Sequence, residues 1–159
     1  MISFTMDHLR FLSRKHGVEL RSKPLCWNVV LTQFPYWVGG RPPVLSIDEG
    51  LDEGHATIGA MIMFACLELG WSEPSLRFRF PIPDDGPGGR RSAHQSRRDF
   101  RVPLKQALAI LMPDEDLEQL ARGEIEEEEY VWNLRIPWEF YERRVMQFRA
   151  QRIGLAQFA

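Results

Sequence analysis

Among the 159 residues only two are cysteines, Cys26 and Cys66, and neither belongs to a Cys-x-x-Cys pair. That leaves at most one disulfide, and both thiols lie inside apolar runs (25–31 and 56–69) where cysteine serves as a small hydrophobe. The four histidines, His8, His16, His55 and His94, include no pair three to five residues apart, so no zinc-binding pattern is present and no metal is expected. Long hydrophobic runs are also missing: the longest charge-free apolar stretch, 56–67, falls short of the roughly 20 residues a membrane span needs. The opening Met1-Ile2-Ser3-Phe4 lacks a basic flank followed by an apolar stretch, so no secretory signal is expected and the setting reads as reducing and cytoplasmic. Nor is there an excess of basic charge. With 20 Lys and Arg against 22 Asp and Glu, the net charge is −2, which argues against a generic nucleic-acid coat.

The nucleophile elbow Gly-x-Ser-x-Gly does not occur. The run Asp84-Asp85-Gly86-Pro87-Gly88-Gly89-Arg90-Arg91 lacks the Gly-Lys-Ser/Thr ending of a phosphate-binding loop. No cofactor is expected, and the absence of these constellations favours a binding protein over an enzyme.

What is present suffices for a packed core: 44% of the residues are hydrophobic and 26% charged. Residues 4–16 predict a helix with Phe4, His8, Phe11 and Leu12 on one face, Ser3 as N-cap and Gly17 as a left-handed stop. Residues 25–34, rich in β-branched and aromatic side chains, predict a buried strand. An acidic linker, 48–53, leads to a helix over 55–69 that is apolar almost all round and must be covered on nearly all sides. Leu76, Phe78, Phe80 and Ile82 alternate with Arg77 and Arg79, the period of a half-buried strand with a cationic outer face. A long Gly/Pro/Arg-rich loop over 83–99 would return to a pairing strand at Phe100-Arg101-Val102. Short helices follow over 104–111 and 114–122, then a strand on the alternation Tyr130, Trp132, Leu134, Ile136. The last helix, 138–151, would turn Trp138, Tyr141, Val145 and Phe148 inward and Arg143, Arg144 and Arg149 outward. The class is therefore α+β in one domain over 1–159: a small antiparallel or mixed β-sheet packed by the nearly all-apolar helix and by flanking helices.

Three clusters carry functional expectations. The acids Glu126, Glu127, Glu128 and Glu129 would crowd like charges along a strand, where they repel, and they make sense opposite a basic partner. With the aromatic loop containing Tyr36 and Trp37 they form the first candidate surface, for another protein. The second is an arginine arm for nucleic acid, built from Arg90, Arg91, Arg97 and Arg98 with Arg77 and Arg79 beside it. A third, weaker reading is a metal-assisted hydrolase holding a hard cation through Asp48, Glu49, Asp52, Glu53 and His55. The leading expectation is a non-enzymatic protein-binding module that occludes a partner's surface, as inhibitors, immunity proteins and anti-defence proteins do. The alternative is a nucleic-acid-binding or ribonucleoprotein subunit, and the sequence leaves the oligomeric state open.

Overall fold

The computed structural model describes residues 4–34, 39–80 and 99–158. Along the chain the elements are α1 (Phe4–His16), β1 (Glu19–Lys23), β2 (Val29–Thr32), β3 (Val44–Asp48), α2 (Glu53–Glu68), β4 (Ser75–Phe78), α3 (Arg101–Leu111), α4 (Asp114–Ala121), α5 (Glu127–Leu134) and α6 (Trp138–Phe158). The four strands form one mixed sheet in the order β1-β3-β2-β4, with β1 parallel to β3 and the other pairs antiparallel. The expected α+β class is present, and of the two sheets the sequence left open, antiparallel or mixed, the mixed one forms.

Register sets the core face. Leu76, Leu31, Leu45 and Leu20 stand in one cross-strand row, and Phe78, Val29 and Ile47 in the next. Onto these rows packs α2, whose residues from Thr57 to Cys66 are all buried. Asp52 starts this helix by accepting the His55 amide at 3.0 Å, and Gly70, at φ 78°, lets the chain turn away at its end. The close approach is made through Gly59: a Cβ there would stand 2.4 Å from Val29 Cγ2. A helix that is apolar on nearly every side is covered on nearly every side, by the sheet, by α1 and by α3.

Several expectations give way to tertiary constraints. In α1, Leu9 and Leu12 are buried and Phe11 is exposed, because the helix turns Leu9, Leu12 and His16 onto α2, where the His16 ring stacks on Phe64. The strand expected over 25–34 is shorter: the Asp48 carboxylate accepts the Leu25 amide at 3.1 Å and holds the chain in a bend, leaving Cys26 exposed and only Val29–Thr32 in the sheet. Two strands come from unflagged segments, β1 and β3, the first almost wholly exposed along the sheet edge. No hairpin forms from 100–102. Asp99 accepts the Arg101 amide at 3.0 Å and starts α3, with Pro103 in the first turn, where a missing N–H costs nothing. Phe100 instead packs on Trp71 and Phe78.

The largest change is at 127–136. The alternation read as a strand is the helix α5, which buries Val131 and Leu134, three residues apart, and leaves Trp132 in solvent. Glu127, Glu128 and Glu129 occupy its first turn, where the partial positive charge of a helix N-terminus favours carboxylates. The final helix is longer than expected and reverses two assignments: Arg144 is buried, and Trp138 is 42% exposed.

Candidate protein-binding surface at the α5–α6 elbow

The corner between α5 and α6 is Arg135-Ile136-Pro137. Arg135 adopts a left-handed conformation (φ 54°, ψ 33°), and its amide bonds back to the Val131 and Trp132 carbonyls, both at 3.1 Å. A non-glycine residue pays roughly 1–2 kcal/mol in steric energy there. The corner is held from below: a Cβ on Gly54 would stand 2.7 Å from the Arg135 carbonyl oxygen, so α2 presses its N-terminal turn directly onto the elbow. Buried Ile136 anchors the turn in the core.

This bend opens a groove of about 500 Å³ lined by Glu128, Val131, Trp132, Arg135, Ile136 and Trp138. Trp132 stands 81% exposed. Trp138 is oriented by its own neighbours: its indole N–H donates to Glu142 at 2.9 Å and its ring lies 5.1 Å from Tyr141. Glu128, Trp132 and Arg135 follow one another at i, i+4 and i+7, so an acid, an indole and a guanidinium edge the groove in sequence.

The acids around the groove differ in their commitments. Tyr141 is pushed well above the ordinary tyrosine range, first by burial and then by its hydrogen bond with Glu127, which ties that carboxylate to α6. Glu126, Glu128 and Glu129 are exposed and form no ion pair among the described residues. Glu124 pairs with Arg122 at 2.7 Å, and Tyr130 reaches back to Asp116 at 2.8 Å, fixing α5 against α4.

The remaining expected residues lie elsewhere. Arg77 points to solvent from β4, whereas Arg79 donates to the Cys26 carbonyl and covers the face of Trp27 at 5.2 Å. Tyr36, Trp37, Arg90, Arg91, Arg97 and Arg98 lie outside the described residues. The acidic grouping near α2 is dispersed among structural tasks: Asp48 holds the Leu25 amide, Asp52 caps α2, and Glu53 faces Arg135 at 3.5 Å. No cluster of three ligating side chains suited to a metal occurs among the described residues.

Set beside protein families, curated proteins and solved structures, the chain matches none.

One other polar arrangement stands out. His55 Nδ1 meets Asp52 Oδ2 at 2.6 Å and Nε2 faces Glu139 at 3.5 Å, with Phe80 and Phe140 edge-on to the ring. Through these contacts the imidazole joins α2 to α6.

Trp132 was legible as part of the alternation Tyr130, Trp132, Leu134, Ile136. Its exposure was not, because the alternation over 130–136 points it inward in a strand and outward in a helix.

Proposed function

We propose that this chain is a non-enzymatic protein-binding module that covers a surface of a partner protein, in the manner of inhibitors and of immunity or anti-defence proteins, and that it does so through the α5–α6 elbow. The observation that carries this reading is Trp132, 81% exposed over a groove that a second indole, Trp138, also lines.

Burying an indole removes 150–250 Å² from water, which at about 25 cal/mol per Å² makes roughly 4–6 kcal/mol available before association costs. Exposed ion pairs contribute at most about 1 kcal/mol each. The indoles therefore supply affinity, while Glu126, Glu128 and Glu129 select a partner with a basic rim and speed its approach. Within the arginine-arm reading, Arg79 is engaged by the Cys26 carbonyl and Trp27, whereas exposed Arg77 bonds only Ser75, at 3.3 Å, among the described residues.

The test is affinity capture from the native host with wild-type and Trp132→Ala protein, alongside anisotropy titrations against labelled DNA and RNA at two salt concentrations. A protein retained by the wild type and lost with Trp132→Ala, with unchanged folding, is the expected result. Retention by both proteins, or micromolar nucleic-acid binding that weakens steeply with salt, would overturn the reading.

A further inference from the structure

The outer side of α6 carries a pattern of its own. Phe140, Tyr141, Arg144 and Phe148 bury the inner side. At 3.6 residues per turn, Trp138, Glu142, Met146, Arg149 and Ile153 fall within about 80° of arc on the opposite side. All five are exposed, with Met146 at 70% and Ile153 at 61%. Three large apolar side chains aligned along one helix and facing water match the stripe of a helix that packs against another surface.

The order of chemistry along the stripe says which surface. It runs apolar, acid, apolar, base, apolar, and its midpoint lies between residues 145 and 146. Trp138 and Ile153 are equidistant from that point, and so are Glu142 and Arg149. Two copies crossing antiparallel there would set Trp138 of each against Ile153 of the other and Glu142 against Arg149, with the two Met146 side chains at the centre. A parallel crossing would oppose like charges instead. This is the self-complementarity that a two-fold interface requires, in which one patch meets its own copy.

We propose that α6 is a homodimerisation face, pairing two copies of this chain antiparallel about a two-fold axis at Met146. The other charges of the helix have partners at home: Arg144 bonds Asp114, Arg152 pairs with Glu118, and Glu139 faces His55. Among the described residues Arg149 forms no ion pair and Glu142 holds only the Trp138 indole N–H. From Trp138 to Ile153 the seam spans about 22 Å at 1.5 Å per residue. Trp138 also lines the elbow groove, so the test is placed on Glu142, Met146 and Arg149, and its outcome is independent of the elbow reading, which rests on Trp132.

Sedimentation equilibrium on the full chain, over a series reaching high micromolar concentration, should show a monomer–dimer equilibrium. Glu142→Arg and Arg149→Glu should each raise the dimer dissociation constant about tenfold or more, because each places like charges face to face. The combined charge swap should restore pairing, and Met146→Glu should abolish it. Circular dichroism should show all variants folded, since the three side chains are exposed. A wild type that stays monomeric, a dimer indifferent to Met146→Glu, or a double swap no better than its single parents would overturn the proposal. So would a monomeric chain whose Met146→Glu variant loses a captured protein, which would give the stripe to a different partner.

Discussion

The guanidinium of Arg144 donates from Nε to the main-chain carbonyl of Met112 at 2.9 Å, inside the protein, joining α6 to the end of α3. A terminal carbonyl of a helix has no partner within its own helix, and here the partner comes from a charge that is 3% exposed. The same side chain reaches Asp114, whose carboxylate is half in solvent, and approaches the Phe148 ring at 6.0 Å.

Arg144→Ala should lower the unfolding free energy by about 2–4 kcal/mol, because it strands a buried carbonyl and removes packed methylenes. Asp114→Ala should cost less than about 1 kcal/mol, since its side of the pair is solvated. Urea denaturation of both variants checks this. Equal losses would mean that the ion pair, and not the carbonyl bond, dominates.

Gly59→Ala should destabilise by about 1–3 kcal/mol through the clash with Val29 Cγ2. Val29→Ala is also destabilising alone, by emptying part of the core. Together they should cost less than the sum of the two, because the truncated valine vacates the space that the new methyl needs. Strict additivity in thermal or urea unfolding would place the clash elsewhere.

Glu68 joins α1, α2 and α3 by accepting from His16, Gln106 and Lys15 at 3.3, 2.9 and 3.5 Å. Burial opposes its charge, but the His16 and Gln106 hydrogen bonds and the Lys15 charge outweigh that and hold its carboxyl below the usual range. A depressed carboxyl stabilises the fold above the unfolded-state pKa of about 4.3, and this contribution is lost as pH falls through the folded value. Glu68→Gln should therefore flatten the acid limb of a stability–pH curve and leave its alkaline limb unchanged. An acid limb of the same slope in the variant would assign the effect to other carboxylates.

Tyr130 and Tyr141 are both pushed above the ordinary range, each first by burial and then by a hydrogen bond to a carboxylate, Asp116 and Glu127 respectively. Here the sign is opposite: the contribution is complete below the unfolded tyrosine value of about 10 and is lost as pH rises beyond it. An ultraviolet absorbance titration of the native protein should leave both phenols protonated at pH of about 10–11, while the urea-unfolded chain titrates normally. Identical titration curves for native and unfolded protein would show that neither phenol is shielded.

Local pattern carried much of the architecture. The buried run Ile58-Gly59-Ala60-Met61-Ile62 was legible as a helix covered on nearly all sides, because its length and composition allow no exposed face. Leu76 and Phe78 were legible as inward strand positions from a period of two, and Gly17 as a left-handed helix end. β1, Glu-Leu-Arg-Ser-Lys, was not: its pairing with β3 supplies backbone hydrogen bonds that no side-chain pattern announces. The candidate surface was half legible, since the acids of 126–129 were visible but the groove beside them depends on how α5 turns.

By itself, then, the sequence determined the α+β class, the central helix and the acidic segment, all of which follow from periodicity and charge within a few residues. Tertiary structure alone decided that 127–134 is a helix, that Arg144 lies inside and that Trp132 lies outside. An alternation of Tyr130, Trp132, Leu134 and Ile136 suits a strand as written. It became a helix because burying Val131 and Leu134 together satisfies the core, and because the acids before them stabilise a helix start. Arg144 could be buried only because the end of α3, 32 residues earlier, presents the Met112 carbonyl to it. No window along the chain contains both groups, and their meeting depends on the fold as a whole.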